Sequence, residues 1–228
     1  MTNFVYNNRA VSIDGLPGDH IFDAIVERQK FYESRMLNFI CTTIPHFGGG
    51  IVDVGANIGN HTVFFGLFTD APCILAIEPN PRVLPFLIRN VNKNGLQDKV
   101  VICRCAAGSE PGWVGLTPDN PHNLGSTSIT LPGAHPTVPM LPLDDMLALA
   151  QPSPAPGWKH TTLLKIDVEG YELNVLRGAT KVLTESHPHL FIEAQTAAQK
   201  FEIDEFLQPF GYQPSQQVFN WTPTYYWY

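Results

Sequence analysis

Charge is scarce in this chain. Asp, Glu, Lys and Arg make up 15% of its 228 residues, and 14 Lys and Arg face 21 Asp and Glu, a net charge of −7. That balance argues against general affinity for nucleic acid or for an anionic membrane. Cysteine is also sparse. Cys41, Cys73, Cys103 and Cys105 form no C-x-x-C pair and no zinc spacing, and they read as buried free thiols. No apolar run reaches the length of a membrane span. The start, Met1 to Arg9, lacks the basic-then-apolar order of a secretory signal. A cytoplasmic protein is the expectation. The eight histidines give no metal spacing; even His187-Pro188-His189 precedes an expected strand, and structural or surface roles fit them best. There is no internal repeat and no charge block. Proline, by contrast, is abundant at 20 residues and concentrates from Pro111 to Pro156. The run Gln151-Pro152-Ser153-Pro154-Ala155-Pro156-Gly157 must be a loop, since proline donates no backbone hydrogen bond.

An apolar share of 44% suffices for a sizeable core, and the length suits one domain. Apolar residues recur at helical spacing from Ile21 to about Thr43, closed by Pro45 and Gly48-Gly49-Gly50. Strands are expected at Ile51–Val54, Cys73–Ile77, Val100–Ala106, Thr162–Val168 and His189–Glu193. Helices are expected over Gly59–Phe68, from Pro81 to Asn94-Gly95, and over Leu143–Leu149, Leu173–Leu183 and Ile203–Leu207. Residues Gly108 to Pro142 look irregular, with short strands near Trp113–Leu116 and Thr127–Leu131. Tyr212 to Tyr228 reads as two aromatic strands joined by a turn. Alternating strands and helices imply a mostly parallel sheet covered on both faces. Two parts follow: an N-terminal helical segment over 1–47 and a core over 48–228 with an insertion at 108–142.

In such sheets ligands sit beyond the C-terminal ends of the strands. The first of those ends, Asp53-Val54-Gly55-Ala56-Asn57-Ile58-Gly59, is a tight glycine turn that lets backbone approach a nucleotide-like ligand. Its spacing lacks the G-x-G-x-x-G of dinucleotide folds, which argues against an NAD-linked oxidoreductase. Glu78 ends the second strand about twenty residues on, where a carboxylate can accept two ribose hydroxyls. Lys165, Asp167 and Glu169 alternate at the end of the fourth strand, and Glu193 ends the fifth. Alternation puts the first three on one face, where charge is costly unless paired or bound to a ligand.

Several segments taken in order carry a resemblance. They are Asp53-Val54-Gly55-Ala56-Asn57-Ile58-Gly59-Asn60-His61-Thr62, Ile77-Glu78-Pro79-Asn80-Pro81, Asn90-Val91-Asn92-Lys93-Asn94-Gly95, Leu143-Asp144-Asp145, Leu164-Lys165-Ile166-Asp167-Val168-Glu169-Gly170-Tyr171-Glu172, Leu176-Arg177-Gly178-Ala179 and Phe191-Ile192-Glu193. Over about residues 30 to 195 they resemble the FkbM family of methyltransferases dependent on S-adenosylmethionine (SAM). The resemblance implies a Rossmann-like class I α/β fold, a seven-stranded mostly parallel sheet of order 3-2-1-4-5-7-6 with a C-terminal antiparallel hairpin, and O-methylation.

On that basis Gly55, Ala56, Asn57 and Gly59 would face the methionine part of SAM. Asp53 would hold the turn or reach the amino group, and Asn60 would join the cofactor-binding set. Glu78, followed by Pro79, would take the ribose. Thr62 reads either as a cofactor contact or as a packing hydroxyl, and Asn80 either as a cofactor contact or as a helix cap. Ala106 would leave room for adenine. By resemblance Tyr32 and Glu33 belong to a helix covering the cofactor; a core tyrosine beside a solvated glutamate is the other reading. Asp167, beside both cofactor and acceptor, or Glu169 would act as general base. Lys165 would tune them or hold the acceptor, and Glu193 would complete the set. Asp167, Glu169 and Glu193 could alternatively bind Mg²⁺. The 108–142 insertion, with Trp113 and His122, would wall the acceptor site along with the Trp221–Tyr228 tail, unless the tail is edge-strand packing. The expected acceptor is a hydroxyl of a small molecule, natural product or glycan. A nucleic-acid methyltransferase and a non-catalytic SAM-binding partner module are the alternatives. Oligomeric state is not readable.

Overall fold

The structure, a computed structural model, describes residues 1–120, 123–130, 137–150 and 160–228. The proline-rich run 151–157 and His122 lie outside the described residues.

The chain opens with a hairpin of β1 (Thr2–Tyr6) and β2 (Arg9–Ile13), followed by α1 (His20–Arg28) and α2 (Ser34–Thr43). This corrects the helical expectation for the N-terminal segment. Asn7 and Asn8, with φ of 46° and 62°, make the two-residue turn, and asparagine tolerates that left-handed region. The expected single helix is also broken, because Gln29 and Glu33 have φ of 50° and 58°. Between them Phe31 drops into the core, with its ring 5.3 Å from Phe4, 5.3 Å from Tyr6 and 5.2 Å from Phe64.

Then come β3 (Gly50–Val54), α3 (Asn60–Phe68), β4 (Ile74–Ile77), α4 (Leu84–Lys93) and β5 (Val100–Cys103). Next are β6 (Ala106–Gly108), β7 (Gly112–Asn120), β8 (Asn123–Thr130), β9 (Thr137–Pro142) and α5 (Leu143–Ala150). The chain continues with β10 (Thr161–Ile166), α6 (Glu172–Arg177), α7 (Thr180–Glu185), β11 (His189–Glu193) and α8 (Ala197–Leu207), and ends with β12 (Pro214–Phe219) and β13 (Thr224–Trp227).

The main sheet has the order β5-β4-β3-β10-β11-β13-β12. Counted along the chain this is 3-2-1-4-5-7-6, the order the resemblance implies. β5 to β11 run parallel, while β13 is antiparallel to β11 and to β12. The fold is therefore the expected class I α/β sheet with its C-terminal hairpin. Alternation along the buried strands feeds two cores. Ile51, Ile74 and Leu163 pack with the N-terminal hairpin and α1 to α4. Val52, Val54, Leu75, Ile77, Leu164 and Ile166 pack with α5 to α8. Each fully buried aliphatic or aromatic side chain contributes about 1.5–3 kcal/mol, and Trp227, with no exposed surface, locks the last strand down.

The described residues of 108–142 are more regular than expected, and the short strands expected near Trp113–Leu116 and Thr127–Leu131 fall on β7 and β8. β7, β8 and β9 join β6 in a second, four-stranded sheet of order β6-β9-β7-β8. The expected third strand is consequently split: β5 stays in the main sheet and β6 starts the second. The helix expected over Leu173–Leu183 is likewise split into α6 and α7. Gly178 sits at the break, where a Cβ would lie 2.0 Å from the Gly108 carbonyl oxygen. Close contact with β6 thus ends the first helix.

Candidate active site

A cavity opens beyond the C-terminal ends of β3, β4 and β10. Its first wall is the glycine turn. Gly55, Asn57 and Gly59 all adopt positive φ, 76°, 52° and 86°. A Cβ on Gly55 would lie 1.8 Å from the Asp167 carbonyl oxygen, so only glycine fits between the two strand ends. The Gly55 and Ala56 amides both donate to the Ile77 carbonyl, each at 3.0 Å, which joins the turn to β4. Asn57 Oδ1 is buried and has no hydrogen-bond partner among the described residues.

Glu78 leaves β4 with its carboxylate folded back onto backbone. It accepts from the Asn57 amide at 2.7 Å and from the Asn80 amide at 2.8 Å. Burial pushes its pKa up to about 7, against the pull of those two bonds and of Lys165. Asn80 accepts from the Arg82 amide at 2.9 Å and donates to Thr127 Oγ1 at 3.2 Å. The first bond shapes the entry to α4; the second ties β8 over the end of β4. Pro79, Ala106, Ala107, Leu116 and Ile129 complete an apolar end of the cavity.

The opposite end is charged. Lys165 is 2% exposed, and it is the register partner of Asp53 across β10 and β3. Its ammonium lies 3.3 Å from Asp53, 3.5 Å from Asp167 and 3.0 Å from the Gly55 carbonyl oxygen. Burial opposes the charge, yet Asp167, Asp53 and Glu33 outweigh it and hold the ammonium above the ordinary lysine pKa. Asp53, wholly buried, also accepts from Thr62 Oγ1 at 2.6 Å. Lys165 is thus a buried cation between the ends of β3 and β10, consistent with charges that are tolerated inside only when paired.

Asp167 follows the end of β10 and keeps a third of its side chain exposed, 32%. The loop beyond it turns sharply, with φ of 55° at Glu169 and 95° at Gly170. Strand alternation therefore stops at Asp167, and Glu169 accepts from Gln195 Nε2 at 2.9 Å. Glu172 fixes this loop by accepting from the Val168 and Gly170 amides at 3.1 and 3.0 Å. Glu193 stands at the end of β11. Burial, then the charges of Asp167, Glu169 and Glu172, push its carboxyl up to about 9.

Glu33, Gly55, Ala56, Asn57, Asn60, Glu78, Pro79, Asn80, Ala106, Lys165, Asp167 and Glu169 all line this cavity. Four expected site residues do not. Asp53, Gly59 and Thr62 support the turn from behind, and Glu193 sits next to the cavity rather than in its wall. The Trp221–Tyr228 tail does not line it either: β13 is spent on pairing with β11, and Trp221 is 98% exposed. The insertion does reach the cavity, through Leu116, Thr127 and Ile129. Among the described residues no three His, Cys, Asp or Glu side chains are arranged to hold a metal ion, so the geometry lends the Asp167–Glu169–Glu193 Mg²⁺ set no support.

Sequence reasoning passed over His61 and the role of Asn60. His61 is the second residue of α3, and its Nε2 lies 3.1 Å from Glu33 in the cavity wall. Asn60 clasps the Tyr32 backbone, accepting from its amide at 3.0 Å and donating to its carbonyl at 3.1 Å. These contacts bring the 29–33 segment over the glycine turn. Tyr32 is pushed up to about 12, by burial first and then by Glu33 and Asp167.

The comparisons agree with the fold. The family model described as "Methyltransferase FkbM domain" matches residues 53–214. Methyltransferase sdnD of Sordaria araneosa is 27% identical over 199 residues, covering 76% of this chain and 77% of that protein. Hexuronic acid methyltransferase AglP of Haloferax volcanii is 28% identical over 131 residues, covering 58% of this chain, and the match spans only 50% of that protein. A crystal structure of a methyltransferase FkbM from Methylobacillus flagellatus superposes with a TM-score of 0.57 at 20% identity, over 79% of this chain and 43% of that one. At that identity the superposition shows the fold alone. No helix of the described residues is long and apolar enough to cross a membrane. The family match spans both strand-end motifs that build the cavity, and on that ground this chain belongs to the FkbM methyltransferase domain family.

Proposed function

We propose that the cavity binds SAM and that the protein transfers its methyl group to a hydroxyl oxygen of a small-molecule or glycan acceptor. The observation that carries this reading is Glu78. It is a buried carboxylate at the end of the second sheet strand, held rigid by two backbone amides, across from a turn in which Gly55, Asn57 and Gly59 have positive φ.

The residues fit the cofactor. Glu78 retains acceptor capacity for ribose hydroxyls. Asn57 Oδ1, buried and unbonded, can take an N–H donor such as the methionine ammonium. The apolar end around Pro79, Ala106, Leu116 and Ile129 suits a flat adenine. When bound, SAM supplies a sulfonium-activated methyl, which accounts for most of the chemistry. The chain's residues supply orientation and proton removal. Asp167 would accept the acceptor hydroxyl proton, a role that its partial exposure and its ion pair with Lys165 support. Lys165, fully engaged by Asp53, Asp167 and backbone, holds the Asp167 carboxylate in position; it is a positioning residue.

The acidic balance and the carboxylate-lined charged end support a small acceptor over nucleic acid. The relative named for hexuronic acid supports a sugar-like one. Thermal shift with SAM, S-adenosylhomocysteine (SAH), NAD and oligonucleotides tests cofactor choice: stabilisation by SAM and SAH is expected, and stabilisation by NAD alone would overturn the reading. Methyl-labelled SAM against an acceptor panel then tests the oxygen. An O-methyl ether survives mild base, whereas a methyl ester does not. Asp167→Asn is expected to keep SAH binding and lose about 10²-fold or more in turnover; full turnover would remove Asp167 from the proton-transfer role.

A further inference from the structure

Cys103 and Cys105 carry chemistry that methyl transfer leaves unused. Their Sγ atoms lie 3.1 Å apart in a shared hydrogen bond. A disulfide needs about 2.0 Å, so a shift of about 1 Å between two side chains would join them. Both are free thiols; Cys103 is partly exposed and Cys105 is buried. Arg104 between them is exposed. Cys103 is the last residue of β5 in the main sheet, and Cys105 lies in the two-residue link, Arg104-Cys105, that leads to β6 in the second.

The pair adjoins the cavity at two points. The Cys103 carbonyl accepts from the Glu78 amide at 3.0 Å. Cys105 is followed directly by Ala106 and Ala107, both in the cavity wall. A covalent bond drawing the two side chains together therefore acts on the backbone that seats Glu78 and on the apolar end beside it.

We propose that Cys103 and Cys105 form a dithiol modification site, which a low-molecular-weight disulfide converts to an intramolecular disulfide, with loss of affinity at the adjoining end of the cavity. Cys103 is the attacking thiol, because it is the exposed partner. The shared hydrogen bond with Cys105 lowers its pKa against the effect of burial, which favours the nucleophilic thiolate. Cys103 loses its proton and attacks one sulfur of oxidised glutathione, releasing one glutathione thiolate and leaving a mixed disulfide on Cys103. Cys105 then gives up its proton and attacks the Cys103 sulfur, expelling the second glutathione thiolate. Two protein thiols are oxidised by two electrons, and one small disulfide is reduced to two thiols. In a reducing compartment such a bond is transient and regulatory rather than structural.

The effect on affinity rests on the SAM reading of the cavity; bond formation does not. Fully reduced protein is treated with oxidised glutathione and measured by intact mass, then cut with trypsin at Arg104 without reductant. The expected result is loss of two hydrogens and fragments that stay joined until dithiothreitol is added. SAH is the binding probe, by calorimetry. Its Kd is expected to rise severalfold on oxidation and to recover on reduction. Cys103→Ser should bind SAH like the reduced wild type and ignore the oxidant. A lasting glutathione adduct without hydrogen loss, or a bridge to Cys41 or Cys73, overturns the site. An unchanged SAH Kd in the bridged protein overturns the coupling. If reduced wild type does not bind SAH, the SAM reading fails, while the mass result still decides the dithiol.

Discussion

Glu78 concentrates the cofactor argument in one carboxylate. Glu78→Ala removes the ribose acceptor and leaves the Asn57 and Asn80 amides without their partner. Hydrogen bonds to a charged group contribute about 1.5–3 kcal/mol each, so SAH affinity should fall by about 10²-fold or more, read by calorimetry on folded protein. Because burial holds the wild-type carboxyl near 7, the accepting carboxylate is depleted below that pH. SAH binding should weaken as the solution is acidified through about 7, and a flat profile would contradict the assignment. Glu193 makes a different prediction. Its folded pKa, pushed up to about 9, exceeds the ordinary 4.5, so between those values the native state holds a proton that the unfolded chain has lost. Native stability from this group is full below about 4.5 and drains away as pH rises to about 9. The slope is at most about 1.4 kcal/mol per pH unit. Glu193→Gln should flatten that decline, measured by urea melts at several pH values. Glu78 was legible because an acidic residue after the second strand has a chemical reason. His61 was not: a single histidine carries no spacing, and its partner Glu33 is 28 positions away in a segment whose left-handed break at Glu33 no periodicity reveals.

Elements were legible where burial imposes a period, and illegible where backbone exceptions decide. The five parallel strands are short apolar runs ending at polar residues, so their ends, and with them the cavity, could be placed. The N-terminal hairpin was missed although Asn7-Asn8 is a turn signal, because the longer helical pattern after it dominated the reading. Of the second sheet only short pieces of β7 and β8 were legible, because Pro118, Pro139 and Pro142 lie within its strands and break the donor pattern. The motif Asn90-Val91-Asn92-Lys93-Asn94 was visible, but its purpose lies in the missed hairpin. Asn90 accepts from the Asp14 amide at 2.7 Å and donates to the carbonyls of Asp14 and Ile58 at 2.9 and 2.7 Å. One turn on, Asn94 accepts from the Ser12 amide at 3.1 Å and donates to the Ser12 carbonyl at 2.7 Å. α4 thus grips the edge of β2 and the glycine turn together. Asn90→Ala breaks three hydrogen bonds, the one to Ile58 buried and the two to Asp14 partly so, and should cost about 2–4 kcal/mol, with amide exchange at Asp14 accelerated before global unfolding. Loss confined to global stability, with Asp14 still protected, would mean that the hairpin is held by other contacts.

For the whole molecule, the sheet order places the cavity between two coverings, the N-terminal segment on one side and the four-stranded sheet on the other. Neither belongs to the seven-stranded core, and both reach the ligand space through few side chains: Ile21, Tyr32 and Glu33 from one, Ala106, Ala107, Leu116, Thr127 and Ile129 from the other. A ligand filling that space would bridge all three bodies, so binding should stabilise the fold as a unit. At SAH concentrations of about 100 times Kd the gain is about 2.7 kcal/mol, which for a chain of this size is a rise in Tm of about 5–10 °C. Duplex or single-stranded oligonucleotides should give no comparable rise at physiological salt, since a net charge of −7 offers no counterion release to drive association. The two halves of this prediction separate cofactor from acceptor. A nucleotide-sized ligand that raises Tm without salt dependence fits a cavity cofactor. An oligonucleotide shift that fell steeply with salt would point to a basic track that the charge balance and the cavity do not contain.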